Sequence, residues 1–377
     1  MIKCQKHLFD IPEDITYLNA AYMGPLTKQA AAIGRQTIDD KLKPWSIATS
    51  DFFDIPEDVY HQAAKLIEAQ PSEIAIVPSV SYGLAIAAKN IKAEKGQKIL
   101  VMADQFPSNV YCWKELAKET GAFIETVSWP DDNNWTAAIL SAIDDNTAIV
   151  AVANAHWTNG TKIDLIAVGK KSRAVSASLV LDLTQTLGAI PFSVKEVDPD
   201  YMVTAAYKWL LGPYSFGFIY VAPRHHAGRP LEESWITRKD AHNFARLVDY
   251  KEDYQPGARR FDMGEKSNFI NAPIAASSLR LINELGVENI ARYLKSLTEH
   301  ITKRAQAIGL NVSNSEHRAE NLIGINFGDG VPDHIASTLA DEKIFVSIRG
   351  DSIRISPHIY NDREDVDRLF DVLEGAL

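Results

Sequence analysis

Short, uniformly apolar runs alternate with amphipathic segments through the first two thirds of this chain, and this alternation constrains the fold most. Because runs without a polar face are typical of strands covered by helices on both sides, the pattern predicts an α/β, three-layer α/β/α domain around a mostly parallel sheet. The expected strands are Ile74–Val77, Lys98–Met102, Phe123–Val127, Ala148–Ala153, Ser178–Leu181, Met202–Thr204 and Phe216–Val221. The expected helices lie near 57–69, 83–92, 108–120, 135–143 and 164–174.

The pattern changes after about residue 255. Residues 257–264 (Gly-Ala-Arg-Arg-Phe-Asp-Met-Gly) resemble an irregular linker. The segments that follow predict a smaller α+β domain: helices near 272–286 and 287–308, strands around Asn321–Phe327, Ile344–Ile348 and Ser352–Ile355, and a last helix from Arg363. We therefore expect a large domain over 18–256 and a small domain over 257–377, with residues 1–17 packed on the small domain.

Composition excludes several classes of partner. With 49 acidic and 39 basic side chains the formal net charge is −10, which disfavours binding to nucleic acid or an anionic membrane surface. Apolar runs fall short of the roughly 18 residues that span a bilayer, and the N-terminus has no apolar signal core. Cys4 and Cys112 fit no metal-ligand spacing and no disulfide framework, so we expect no metal and a cytoplasmic location.

Lys208 and Asp182 form the most informative pair of polar residues. Lys208 follows an expected strand inside the apolar sequence Tyr-Lys-Trp-Leu-Leu-Gly-Pro, and Asp182 ends the run Leu-Val-Leu-Asp. Apolar surroundings lower the pKa of a lysine and make it an amine nucleophile toward carbonyls. A carboxylate in such a strand is costly unless it is paired. A lysine and an aspartate in these settings are what pyridoxal phosphate (PLP) requires of a protein.

The ends of the other expected strands carry further candidate side chains. In open α/β sheets, ligands bind beyond these carboxyl ends. Hydroxyl residues at the start of a helix form either an anion-binding site or a plain N-cap. The Phe106 ring either stacks on a ligand or belongs to the hydrophobic core. His156 faces either a ligand or solvent. The candidates are Ser79, Val80 and Ser81 after the first strand, Phe106 after the second, His156 and Trp157 after the fourth, and Gln185 after the fifth.

Together these residues resemble the class V aminotransferase branch of the fold-type I PLP enzymes, which includes cysteine desulfurases, selenocysteine lyases, kynureninases and isopenicillin N epimerase-like proteins. The resemblance runs from residues 17–21 (Tyr-Leu-Asn-Ala-Ala) to residues 353–361 (Ile-Arg-Ile-Ser-Pro-His-Ile-Tyr-Asn). These motifs are specific for the superfamily but do not indicate which reaction is catalysed. The resemblance implies the fold-type I PLP-dependent transferase fold.

The resemblance also implies a role for each motif residue. Lys208 looks like the Schiff-base lysine, Asp182 like the partner of the pyridine nitrogen, and Gln185 like the donor to the ring oxygen. Phe106 looks like the ring that stacks on the cofactor, and Arg354 like the clamp for the substrate carboxylate. The phosphate-binding residues would be Ser79, Val80, Ser81 and Tyr207. Ser267 belongs to a loop, residues 260–268, that in the family reaches the phosphate of the neighbouring subunit, which implies a homodimer with shared active sites.

The sequence departs from the desulfurases in one respect. The segment before Arg354 is short and has no cysteine, and Cys112 lies far upstream, so persulfide transfer is disfavoured. We therefore expect a PLP-dependent aminotransferase acting on an amino acid. A Cα-deprotonating lyase or epimerase is the alternative. Side chains lining the substrate pocket decide between them, and the candidates are Asn19, Tyr22, Trp45, His156, Trp157 and Arg349.

Two readings from other classes fit less well. A PLP-binding module without turnover has less need of a carboxylate clamp such as Arg354. A nucleotide-dependent oxidoreductase would carry Gly-x-Gly-x-x-Gly after its first strand, whereas this chain has Pro-Ser-Val-Ser-Tyr-Gly at 78–83.

Overall fold

The structure is a computed structural model that describes residues 2–313, 315–328 and 330–377. Its strands are β1 (Thr16–Tyr17), β2 (Ile74–Val77), β3 (Lys98–Met102), β4 (Phe123–Val127), β5 (Thr147–Ala153), β6 (Ser178–Asp182), β7 (Tyr201–Ala205), β8 (Gly217–Val221), β9 (Asn311–Val312), β10 (Ile323–Asn326), β11 (Ile344–Phe345), β12 (Ser347–Arg349) and β13 (Ser352–Ile355). Its α-helices are α1 (Lys28–Lys41), α2 (Asp51–Ile67), α3 (Val80–Asn90), α4 (Ser108–Thr120), α5 (Trp135–Ala142), α6 (Leu165–Ala174), α7 (Val194–Val197), α8 (Asn271–Leu285), α9 (Val287–Ala307), α10 (Asp333–Asp341) and α11 (Arg363–Ala376).

The central sheet of the described chain has seven strands in the order β2-β8-β7-β6-β5-β3-β4. Strand β8 runs antiparallel to both of its neighbours, β2 and β7, and the other neighbouring pairs are parallel. The expected α/β fold with a mostly parallel sheet is therefore confirmed.

Helices cover both faces of this sheet. On β2, Ile74 and Ile76 belong to one hydrophobic core, while Ala75 and Val77 belong to the core on the opposite face. This alternation explains why the strand has no polar face. Helix α3 lies very close to the sheet, since a Cβ built on Gly83 would come within 2.6 Å of the side chain of Val203 on β7.

A second sheet, with the order β12-β13-β10-β9, is antiparallel throughout. It shares a hydrophobic core with α9, α10 and α11. Strand β1 pairs in parallel with β11, joining Thr16 to Ile344. The run expected as one strand over Ile344–Ile348 is split at Val346 into β11 and β12. The division into domains at residue 257 remains a prediction.

Residues 257–264 differ from the expected irregular linker. Gly257–Phe261 forms a 3-10 turn, and Ala258 and Phe261 are buried in a core of the central sheet. The Asp262 carboxylate accepts hydrogen bonds from the Ile76 backbone N–H and from the Tyr60 hydroxyl, both at 2.7 Å. The segment has the composition of a loop. It can be buried because these hydrogen bonds satisfy the Asp262 carboxylate.

No helix in the described ranges is long and apolar enough to cross a membrane. Over the same ranges, no group of three or more histidine, cysteine, aspartate or glutamate side chains is placed to hold a metal ion.

Candidate active site

The carboxyl ends of β3, β5, β6 and β7 surround a cavity of about 330 Å³. This edge of the sheet is where ligands bind in open α/β folds. The cavity is lined by Pro78, Ser79, Val80, Ser81, Met102, Gln105, Phe106, Ser108, Asn109, Ala153, Ala155, His156, Trp157, Asp182, Thr184, Gln185, Ala205, Tyr207, Lys208, Tyr214, Ser215 and Phe216.

Lys208 projects into this cavity from the turn after β7. Its side chain is buried, and its Nζ lies 5.6 Å from the ring centroids of both Phe106 and Tyr207. Burial lowers the pKa of Lys208 to about 8, although the negative charge of Asp182 opposes this shift. A larger fraction of the amine is therefore neutral near pH 7 than for an exposed lysine, which favours nucleophilic attack.

Asp182 closes β6 on the floor of the cavity. Burial raises the pKa of its carboxyl, while a hydrogen bond from the Thr184 backbone N–H (3.0 Å) and the charge of Lys208 act in the opposite direction. A buried carboxylate gains most from a cation or an N–H donor placed beside it. The floor of the cavity therefore suits a ligand with a protonated ring nitrogen.

The amide of Gln185 has a defined orientation. Its Oε1 accepts a hydrogen bond from the Trp209 indole at 3.2 Å, and its Nε2 donates to the Ala21 carbonyl at 3.3 Å. Because an indole N–H only donates, the oxygen must face Trp209. The amide nitrogen, which has two hydrogens, keeps one for a ligand.

The N-terminus of α3 forms one wall of the cavity. Ser79 is the N-cap, since its Oγ accepts from the Tyr82 backbone N–H at 3.2 Å, and it lies 2.9 Å from the Ser81 Oγ. Ser79, Val80 and Ser81 all line the cavity. The N-cap and anion-site interpretations are thus compatible, because unpaired N–H groups and the helix dipole still favour a phosphate there.

Aromatic rings form the opposite wall. The Phe106 ring meets the Trp157 ring edge-on, with centroids 5.6 Å apart. The Trp157 indole donates to the Asp104 carbonyl at 2.7 Å, which fixes its orientation. Phe106 is 40% exposed, so its ring is open to a flat ligand rather than part of the core.

His156 lies deeper than these rings. Its Nε2 lies 3.1 Å from the Ala103 carbonyl and therefore donates, and its Nδ1 is 2.8 Å from the Thr158 Oγ1. Burial lowers the pKa of His156 to about 4. The ring is neutral at pH 7, and both nitrogens have partners within the protein.

Arg354 and Asn19 do not line the cavity, although Arg354 contacts the lining residue Trp157. Arg354 Nη1 donates to the Trp157 carbonyl at 2.9 Å, and Nη2 lies 3.4 Å from the Ser347 Oγ. Ser347 in turn donates to the Asn19 Oδ1 at 2.8 Å. Burial lowers the pKa of Arg354 to about 9. Arg354 is therefore connected to the cavity through Trp157. Asn19 helps to position Arg354 through the hydroxyl of Ser347.

Ser267 does not line the cavity of its own chain. Its hydroxyl donates to the Phe52 carbonyl on α2 at 2.6 Å. The expected contact of Ser267 with a neighbouring subunit's phosphate remains a prediction.

Two cavity residues not picked out from the sequence are Gln105 and Asn109. Asn109 is fully buried, and its Oδ1 accepts from the Trp113 indole at 2.9 Å. The Asn109 Nδ2 and the Gln105 Oε1 are buried and have no hydrogen-bond partner in the described parts of the chain. Such an unpaired donor and acceptor are available to a polar ligand or to water. The sequence signal that could have indicated these two residues is the polar stretch around Phe106, where a helix begins.

Residues 45–369 match the family model described as aminotransferase class-V. The chain belongs to the class V aminotransferase family. It is 29% identical over 314 residues to the uncharacterized aminotransferase YcbU of Bacillus subtilis, covering 82% of this chain and 81% of the relative. It is 22% identical over 331 residues to isopenicillin N epimerase of Streptomyces clavuligerus, covering 83% and 82%.

Solved structures show the same fold. The apo cysteine desulfurase of Thermococcus onnurineus superposes with a TM-score of 0.86 at 19% identity, over 100% of this chain and 98% of that one. The fold-type I expectation is therefore confirmed.

PLP is the cofactor of this class V family, and the cavity fits it. A buried lysine, a carboxyl with a raised pKa and a helix N-terminus lie around one space, together with the unpaired polar atoms of Gln105 and Asn109. Neither cysteine lines that space, and burial raises the pKa of Cys112 to about 12. A thiolate nucleophile is therefore absent from the lining residues.

Proposed function

We propose that this class V protein is an aminotransferase that uses PLP and takes the amino group from an α-amino acid. One observation carries the proposal. The Lys208 amine is buried in the cavity, has a pKa of about 8, and is the best-placed base among the lining residues.

Each side chain in this proposal has its own task. Lys208 would hold the cofactor covalently, and Asp182 would keep the ring nitrogen protonated. Gln185 would donate to the ring oxygen, and Phe106 would cover the ring. The phosphate would be bound by Ser79, Val80, Ser81 and Tyr207, whose ring already lies beside Tyr214 at 4.7 Å. When bound, PLP supplies an electron sink for the bonds at the substrate Cα.

Proton transfer favours the aminotransferase over the alternatives. With PLP bound, the Lys208 Nζ would take the proton from the substrate Cα, and the same amine would deliver it to the cofactor side of the substrate nitrogen, so one base would be enough for amino-group transfer. His156 cannot act as a second base, because its pKa is about 4 and both of its nitrogens have partners. Phe106 and Trp157 offer no acid on the opposite wall. An epimerase that uses two bases, or a lyase that needs an acid for its leaving group, is therefore less well supported.

Arg354 would fix the substrate carboxylate. Its Nε is buried with no hydrogen-bond partner among the described residues, so the guanidinium retains donors for an anion. Arg354 donates to the backbone carbonyl of the lining residue Trp157, so its guanidinium lies next to the cavity.

We also propose a homodimer. Large apolar side chains remain exposed, among them the cavity-lining Tyr214 at 63%, Tyr22 at 57% and Trp45 at 82%. Sedimentation equilibrium should give twice the 41.8 kDa chain mass. A fully active monomer would remove the shared-site proposal. Both cysteines are free, which is compatible with the expected cytoplasmic location.

The reaction type is tested by mixing the PLP-loaded protein with single amino acids in the absence of a keto acid. An aminotransferase should form one equivalent of keto acid per site while the cofactor spectrum changes to the pyridoxamine type. Product beyond one equivalent with the original spectrum retained would assign the protein to the lyases or epimerases instead.

A further inference from the structure

Two arginines share one face of the hairpin formed by β12 and β13. Arg349 pairs with Ser352, and Arg354 pairs with Ser347. Side chains alternate along a strand, so Arg349, Ser352 and Arg354 lie on the same face and Ile353 lies on the other. Diagonal positions of this kind are about 7–8 Å apart. The two guanidinium groups are therefore neighbours.

Both arginines contact Trp157, which lines the cavity. The Arg354 guanidinium donates to the Trp157 carbonyl at 2.9 Å, and the Arg349 guanidinium carbon lies 5.8 Å from the centroid of the Trp157 ring. Both positive charges also help to lower the pKa of Lys208. Arg349 thus belongs electrostatically to the same site as Lys208 and Arg354.

Neither arginine is neutralised by the protein. Within the described ranges, Arg349 and Arg354 form no ion pair with an aspartate or glutamate, and the Nε of each is buried without a hydrogen-bond partner. The Asp104 carboxylate, on the neighbouring loop, accepts instead from the Trp129 indole at 2.7 Å. A substrate α-carboxylate would satisfy one of the two guanidinium groups and leave the other unpaired.

We infer that the site selects α-amino acids that carry a second carboxylate on the side chain, and that Arg349 is the residue that binds it. This inference rests on the proposed function, because Arg354 is taken to bind the α-carboxylate. Arg349 is then a specificity-determining residue, and the substrates are aspartate- or glutamate-like dicarboxylic amino acids.

Arg349→Gln tests this in the PLP-loaded protein, with Arg349→Lys as a charge-preserving variant. Arg363→Gln is the matched control, since Arg363 is an exposed arginine at the start of α11. Arg349→Gln should lower kcat/KM for aspartate or glutamate by about 10- to 100-fold, as expected for one charge-assisted hydrogen-bonded pair. It should change kcat/KM for alanine by less than about threefold. Equal losses for both kinds of substrate, or the same losses in Arg363→Gln, would overturn the inference.

Binding of succinate and glutarate, compared with butyrate, gives a second readout that needs no turnover. The dicarboxylates should compete with the amino substrate more tightly than butyrate does, and Arg349→Gln should remove this difference. If alanine is transaminated while dicarboxylates and butyrate compete equally, the inference fails and the proposed function stands. If Arg349 governs dicarboxylate binding but no amino acid yields a keto acid, the proposed reaction fails and the anion selectivity stands.

Discussion

The Ser267 hydroxyl donates a hydrogen bond to the Phe52 carbonyl at 2.6 Å. In a regular helix this carbonyl accepts from the backbone N–H four residues later, which here belongs to Pro56. Because proline has no N–H, the serine supplies the missing donor. This contact attaches the loop 260–268 to helix α2 of its own chain. The same loop is the one expected to reach the cofactor phosphate of a partner subunit.

Ser267→Ala should therefore lower the free energy of unfolding by about 1–2 kcal/mol, since the Phe52 carbonyl loses its donor. In a Pro56→Ala background the helix regains its own N–H, and the same serine substitution should be nearly neutral. Denaturant unfolding of the four proteins in this double-mutant cycle measures the coupling. Equal effects of Ser267→Ala in both backgrounds would show that the two residues do not share this carbonyl.

Burial of Lys208 predicts a specific pH dependence in the cofactor-free protein. Its folded pKa of about 8 lies below an unfolded value of about 10.4, so the unfolded state binds the proton more strongly. Burying the protonated Lys208 therefore lowers the free energy of unfolding by about 3 kcal/mol. This loss of stability is complete below about pH 8 and disappears as the pH rises toward about 10.4. Lys208→Met should therefore be more stable than the unsubstituted chain by an increment that shrinks over this window. A pH-independent difference would contradict a lowered pKa.

Arg354→Gln should weaken α-amino acid binding by roughly 2–4 kcal/mol. Simple primary amines, which have no carboxylate, should be affected far less. Arg354→Lys keeps the positive charge but lacks the planar guanidinium, so its affinity for α-amino acids should lie between those of the unsubstituted protein and Arg354→Gln. Parallel KM measurements for an amino acid and its decarboxylated amine decide the matter, and equal losses would show that Arg354 is not the carboxylate clamp.

Gly24 packs closely against the peptide of Lys208, since a Cβ built on Gly24 would lie 2.2 Å from the Lys208 carbonyl oxygen. Gly24→Ala should displace that peptide, cost about 1–3 kcal/mol of stability and weaken retention of the cofactor. Gly375→Ala is the control, since its Cβ meets nothing within 4 Å. Thermal unfolding and cofactor absorbance of both variants test this, and unaltered cofactor retention in Gly24→Ala would contradict it.

The sequence predicted the seven central strands. Six of them are almost entirely buried and therefore apolar, whereas the edge strand β4 is largely exposed or half-buried. The sequence missed α1, whose buried residues are only Ala30 and Gly34 and which therefore has little apolar periodicity. It placed the start of α2 near residue 57, whereas the helix begins at Asp51 and contains Pro56, a residue that is unusual inside a helix. The two-residue strands β1 and β9 are too short for any periodic signal.

At the site, the strand ends indicated which residues meet, because parallel strands bring their carboxyl ends to one edge. The sequence could not indicate that Arg354 bonds to the Trp157 carbonyl instead of lining the cavity, or that Asn109 and Gln105 have unpaired atoms there. Both features depend on packing between distant segments. The shared face of Arg349 and Arg354 required the register of β12 and β13, which a five-residue spacing does not reveal.

Amino-group transfer is tested by following the nitrogen of the donor amino acid. The PLP-loaded protein would be incubated with ¹⁵N-labelled glutamate or aspartate and an unlabelled α-keto acid, and the products analysed by mass spectrometry. We expect ¹⁵N in the amino acid formed from the added keto acid, with loss of this transfer in Lys208→Ala. Release of ¹⁵N as ammonium, or its retention in a donor of inverted configuration, would show that the protein is not an aminotransferase.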